Sequence, residues 1–154
     1  MVKTVLLARP HPFIVSDMGP FLSAAGFHTI QLRDLRDLRD LPNEIAGASG
    51  VVMSLALVTK LGASADDVYQ ALRKHAPNVP LVFAGLLDMS KAKFAMTRLV
   101  SGTEPTPRFI SSGAGPDAGA SLGGTSTILY LGKEDLTDSA RREQAMRNIA
   151  LHFR

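Results

Sequence analysis

The sequence predicts an α/β fold, a single doubly wound and mostly parallel sheet of five strands with helices on both faces. Three observations predict it. Short, continuous apolar runs recur along the chain, as strands covered on both faces require. Amphipathic stretches at helical spacing separate them, so strand and helix alternate. Gly, Pro, Ser and Asp fall at the junctions, where helices start and stop. Right-handed crossovers are then the default, and the carboxyl ends of the strands share the edge where such proteins place their chemistry.

Val5-Leu6-Leu7-Ala8 is the first strand, and it stops at Arg9-Pro10-His11-Pro12. Ile14, Met18, Phe21, Leu22 and Ala25 follow at helical spacing, with Gly26 as the C′ residue. Pro20 lies inside that pattern and predicts a kink or a division into two helices. Phe27 to Leu32 supply a second strand. "LRDLRDLRDL" (32–41) pairs Arg33 with Asp37 and Arg36 with Asp40 at i, i+4, although leucines spaced by three suit a 3₁₀ turn better. A self-neutralised surface helix stopped at Pro42 is expected there, rather than a nucleic-acid arm.

"GVVMSLAL" (50–57) is the strongest buried strand. Ser64, with Asp67 in the first turn, caps a helix of Val68, Ala71, Leu72 and His75 that runs to Pro77. "VPLVFAGLLD" (79–88) is the next buried strand, and Ser90 can cap a helix carrying Ala92, Ala95, Met96 and Leu99. From Gly102 to Thr127 six glycines and three prolines predict a loop, with Phe109-Ile110 as a short strand within it. "STILYLG" (126–132) is a clear strand. The last helix starts near Asp138 and carries Met146, Ile149 and Phe153 on one face.

The 154 residues predict one domain, 1–154, with a sizeable core. Without cysteine there are neither disulfides nor thiolate zinc sites, as expected in a reducing compartment. No apolar run reaches the roughly 20 residues of a membrane span, and Lys3 stands before a strand-like run with no cleavage-site pattern, so no signal peptide is expected. A cytoplasmic protein is expected. The net charge of +3 is evenly spread: residues 1–77 and 78–154 hold eight and nine of the 17 Lys/Arg, and seven each of the 14 Asp/Glu. Acids interleave with bases, so no DNA partner is expected.

The run of elements resembles the receiver domains of two-component response regulators, whose fold is CheY-like (flavodoxin-like). "KTVLLARPHPFIVSDMGPFLSAAGF" is similar to that family's first strand and helix, "SGVVMSLAL" to its third strand, and "NVPLVFAGLLD" to its fourth. "ILYLGKEDLT" is similar to its fifth strand and lysine turn. The likeness spans roughly 1–100 and 126–154, with 102–127 as a Gly/Pro-rich insertion before the last strand.

The resemblance implies a Mg²⁺ site and a phosphoacceptor, and this chain departs from both. The acidic pair expected after the first strand is replaced by Arg9 and by Pro10 or His11. Ser54 stands at the phosphoaccepting aspartate, and Gly85 at the Ser/Thr that ends the fourth strand. Lys133 matches the family lysine, but Glu134 replaces the proline after it. Mg²⁺ requires hard oxygen ligands, and an acyl phosphate forms only on a carboxylate. The resemblance therefore implies a pseudo-receiver with no metal and no cofactor.

Arg9 and Lys133, with or without His11, could bind an anion at the strand ends. Pairing of Arg9 with Asp88, and of Lys133 with Glu134 or Asp135, is the favoured alternative. Ser54 and His11 lack a nucleophile elbow and an orienting acid, so no catalytic residue is expected. "GAGPDAG" (113–119) has neither the spacing nor the strand-to-helix setting of a phosphate loop. His28, His75 and His152 lack metal-ligand spacing and are expected at the surface or half-buried.

Receivers commonly meet partners through the face of the fourth helix, fifth strand and last helix. Here that face would comprise Met96 to Val100, with Arg98 and Leu99 among them, Ile128 to Leu131 including Tyr130, and the last helix. Arg141, Arg142, Arg147 and Arg154 on that helix are expected to be solvated, or else to engage acidic partners or a cyclic dinucleotide. The leading expectation is a stand-alone, phosphorylation-independent interaction module of bacterial signalling, with an unidentified protein partner or a homodimer. The alternative is a sensor of an anionic metabolite or nucleotide. No appended output domain is expected after the last helix.

Overall fold

The computed structural model describes residues 3–8, 19–31, 48–54, 65–75, 78–85, 89–102, 106–113 and 127–153. Six strands form one parallel sheet: β1 (Lys3–Ala8), β2 (Phe27–Gln31), β3 (Ala48–Ser54), β4 (Leu81–Ala84), β5 (Arg108–Ser111) and β6 (Thr127–Leu131). Their order across the sheet is β2-β1-β3-β4-β6-β5. The described helices are α1 (Gly19–Ala24), α2 (Ala65–His75), α3 (Met89–Leu99), α4 (Glu134–Thr137) and α5 (Ser139–His152).

Alternation along each strand divides the core in two. Leu6, Val51, Met53, Leu81, Phe83, Ile128 and Tyr130 face α2 and α3, where Tyr69, Leu72, Ala92, Met96 and Leu99 meet them. Val5, Leu7, Val52, Val82, Ala84, Leu129 and Leu131 face Phe21 and Leu22 of α1, Leu136 of α4, and Ala145 and Ile149 of α5. Strands covered on both faces can be apolar at every position, and β4 and β6 are buried throughout. The doubly wound expectation holds.

The sheet has six strands, not five. β5 is the short strand expected at Phe109-Ile110 within the Gly/Pro-rich segment, and it joins the sheet, pairing in parallel with β6, Phe109 opposite Ile128 and Ile110 opposite Leu129. Phe109 packs on one core and Ile110 on the other, so two consecutive apolar residues suffice for an edge strand. Pro20 falls in the first turn of the described α1, where a missing N–H costs nothing. Gly26 closes that helix at φ 94°, a conformation that favours glycine. Ser90 lies inside α3 rather than capping it. The "LRDLRDLRDL" repeat and Ser64 lie outside the described residues.

Asp138 caps α5, its carboxylate accepting a hydrogen bond from the Arg141 backbone N–H at 3.0 Å. At the other end of that helix His152 is fully buried, not at the surface, and its Nε2–H donates to the Leu81 carbonyl at 2.9 Å. Burial holds the imidazole pKa below its usual value of 6.5, with the Leu81 bond pulling the opposite way more weakly. The unfolded chain then takes up this proton more readily than the folded one. The contribution is fully present above the unfolded value and is lost as the pH falls towards the folded one. The melting temperature is expected to fall as the pH drops below the usual imidazole value of 6.5, and His152→Gln to flatten that fall. A decline of equal size in the variant would exclude His152 as its source.

Candidate functional site

The strand order sets β1, β3, β4 and β6 side by side with all carboxyl ends at one edge. In register, Ala8 pairs with Met53, Ser54 with Ala84, and Ala84 with Leu131. Ser54, Ala84 and Leu131 thus form a row across three central strands, with Gly85 and Lys133 just beyond it. Arg9, Pro10 and His11, like the Arg9–Asp88 pairing, lie outside the described residues.

Gly85 donates its N–H to the Leu131 carbonyl at 3.1 Å, fixing the end of β4 against the end of β6. A Cβ at position 85 would lie 2.8 Å from the Tyr130 hydroxyl oxygen. The missing side chain is therefore what accommodates the buried Tyr130 ring. Lys133 is exposed in the turn after β6, and its side chain makes no bond to the described residues. Its carbonyl accepts the N–H groups of Leu136 and Thr137, at 3.0 and 3.1 Å.

Lys133 does not pair with Asp135. That carboxylate turns inward, is 2% exposed, and is satisfied by four donors. Arg141 reaches Oδ1 through Nε at 2.9 Å and Nη2 at 2.7 Å. Oδ2 accepts from the Ser112 hydroxyl at 2.9 Å and the Gly132 N–H at 3.0 Å. Asn148 adds a bond from Nδ2 to the Ser112 carbonyl at 2.8 Å, and Arg141 one from Nη2 to the Ser111 hydroxyl at 3.2 Å. A Cβ at Gly113 would lie 2.6 Å from the Asp135 Oδ1. This cluster joins the ends of β5 and β6 to α5, and the sequence reading missed it. Its chemistry is that of a latch, since every Asp135 oxygen is occupied from within.

The expected partner face needs correction. Met96, Leu99 and Tyr130 are buried, at 0, 7 and 1% exposed, because the apolar period that marks them belongs to the core beneath α3. Val100 and Ile128 to Leu131 are buried as well. Arg98 is exposed, with Phe94 beside it at 78%. The arginines of α5 are largely engaged within the chain. Arg141 holds Asp135, Arg142 lies 5.1 Å over the Phe21 ring, and Arg147 meets Glu143 at 2.9 Å. Arg154 lies outside the described residues. Among the described residues no cluster of three or more His, Asp or Glu could hold a metal. No helix among them is long and apolar enough to cross a membrane.

No protein-family model matches the sequence, and no curated protein does either. Solved structures do match over nearly the whole chain. A response regulator receiver protein from Sinorhizobium medicae superposes with a TM-score of 0.56 at 16% identity, covering 99% of this chain and 98% of its own. The receiver domain of a sensor histidine kinase from Pseudomonas aeruginosa, which holds a magnesium ion in its active-site cleft, gives 0.57 at 11%, covering 97 and 99%. A putative pilus assembly-related protein from Burkholderia pseudomallei gives 0.54 at 10%, covering 97 and 91%. The chain has the CheY-like, flavodoxin-like fold of a response-regulator receiver domain.

Proposed function

We propose that the chain is a signalling module of receiver fold that acts by docking to a protein, without phosphorylation. The observation that carries this reading is Ser54, at the carboxyl end of β3 and in register with Ala84 of β4. The fold puts a phosphoaccepting aspartate at that place, and a serine cannot form an acyl phosphate. The donor set does not fit Mg²⁺ either. The first-strand acids are replaced by Arg9, Pro10 and His11, and the buried carboxylate among the described residues, Asp135, has both oxygens engaged. With no covalent chemistry at the strand ends, what remains for the module is recognition.

A second reading, a sensor of an anionic metabolite or nucleotide, is favoured by one observation. Lys133 is exposed at the strand ends with no side-chain bond to the described residues.

Thermal unfolding with Mg²⁺, with Mg²⁺ plus beryllofluoride, and with a panel of nucleotides separates these readings, because a ligand of the native state raises the melting temperature. No shift with Mg²⁺ and beryllofluoride is expected, nor any labelling by acetyl phosphate. A beryllofluoride shift would overturn the docking proposal. A nucleotide shift lost in Lys133→Ala would establish the sensor instead.

A further inference from the structure

α2 and α3 cover one face of the sheet, over the core that Leu6, Met53, Phe83 and Tyr130 form. Both run back against neighbouring parallel strands, so their C-termini lie at the same end of that layer. On α3, Ala92, Met96 and Leu99 enter the core, and Lys91, Phe94 and Arg98, spaced three and four apart, stand on the opposite crest. Phe94 is 78% exposed. Lys93 is exposed on the flank of α3, and Lys74 in the last turn of α2. α3 holds no carboxylate, and the two of α2, Asp66 and Asp67, belong to its first turn, about two turns from Lys74. Glu134, Asp135, Asp138 and Glu143 lie on α4, α5 and their junction, on the other face, where they interleave with Lys133, Arg141, Arg142 and Arg147. Arg141 and Arg147 have ion-pair partners there, whereas Lys74, Lys93 and Arg98 have no carboxylate partner among the described residues. The molecule is two-faced: mixed in sign on one layer, and positive around an aromatic ring on the other.

Beyond docking to a protein, we infer that the α2–α3 layer rests on an anionic phospholipid surface, with Phe94 entering the headgroup region and Lys74, Lys91, Lys93 and Arg98 meeting the lipid phosphates. A ring held in water is stabilised by transfer to an apolar medium, and a bilayer offers one under a layer of negative charge. The spread of the cations decides the occupant. They are distributed over two helices, and lipid headgroups diffuse laterally and gather beneath such charges. The phosphates of a nucleic acid are fixed along a line, and its affinity requires many contacts in register with them. A second copy laid face to face would oppose like charges. One ring and four cations make a reversible association rather than a permanent anchor, because neither the apolar nor the electrostatic part holds the protein alone.

Sedimentation of the full chain with vesicles tests this, in parallel arms of phosphatidylcholine alone and phosphatidylcholine mixed with phosphatidylglycerol. Binding is expected only to the anionic vesicles, and salt is expected to reverse it by screening. The apparent Kd is expected to rise about tenfold or more in Phe94→Ala and in Lys93→Glu/Arg98→Glu, and to hold in Arg147→Ala on the other layer. The chain has no tryptophan, so Phe94→Trp supplies a single reporter. Its emission is expected to shift to the blue on anionic vesicles and to be quenched by brominated lipid. Because these side chains are exposed, the variants are expected to keep the parent's melting temperature. No binding to the anionic vesicles, equal binding by Phe94→Ala, or an unshifted emission from Phe94→Trp would each overturn the inference. Tighter binding of a DNA duplex or single strand than of the vesicles at equal salt would also overturn it. The assay contains no partner protein, so its failure leaves the docking reading standing.

Discussion

Phe153→Ala is expected to lower the free energy of unfolding by about 3–5 kcal/mol, read from urea denaturation at constant slope. The ring is fully buried just beyond α5, edge-on to Phe27 at 5.9 Å and beside the His152 imidazole at 5.6 Å. It lies against β3 at Gly50, where a Cβ would overlap the Cδ1 and Cε1 atoms of the ring. Glycine at position 50 is thus a requirement of close approach, and its backbone needs no unusual angle. Gly50→Ala is expected to be destabilising by about 1–3 kcal/mol through overpacking. The two substitutions share one space. In the double variant the alanine at 50 occupies part of the cavity left at 153, so the combined loss is expected to be smaller than the sum. Strict additivity, or a Phe153→Ala variant within about 1 kcal/mol of the parent, would show that the ring is not wedged there.

Asp135→Asn carries the second large effect, a loss of about 2–3 kcal/mol on the same measurement. The substitution keeps the shape and removes the charge. Every partner of Asp135 is a donor, so the new amide must point its own N–H groups at Arg141, or at Ser112 and Gly132. The estimate sits below that for a fully buried ion pair because the Arg141 side chain is 42% exposed and keeps much of its hydration. For Arg141→Met a smaller loss is expected, since Ser112 and Gly132 still serve the buried carboxylate. A neutral Asp135→Asn variant would show that the cluster holds nothing together.

The strands were legible because burial on both faces leaves a continuous apolar run, and β1, β3, β4 and β6 all carry one. β5 offers only Phe109 and Ile110 between prolines and glycines, enough to mark a short strand but not its place in the sheet, which its pairing with β6 at the edge decides. The same regularity misled at the surface. Met96, Leu99 and Tyr130 recur at the spacing of an exposed apolar face and of a core alike, and only the packing distinguishes the two. Ser54, Gly85 and Lys133 were placed by the order of elements. The Asp135 latch was not, because it gathers Ser112, Gly132, Arg141 and Asn148 from three different elements and their junctions. No local pattern announces such a cluster.

The strand order also bears on how the protein is made. β5 is synthesised before β6, yet it pairs with no described strand except β6, which must insert between β5 and β4. The wedge at Gly50 and the bond to Leu81 are supplied later still, by Phe153 and His152. While residues 127–153 are still in the ribosome tunnel, β4 lacks one neighbour and Val52 and Val82 lack the α5 side of their core. Between the emergence of β4 and that of the last helix the nascent chain therefore carries a half-sheet with apolar surface uncovered, the kind of surface on which chaperones act.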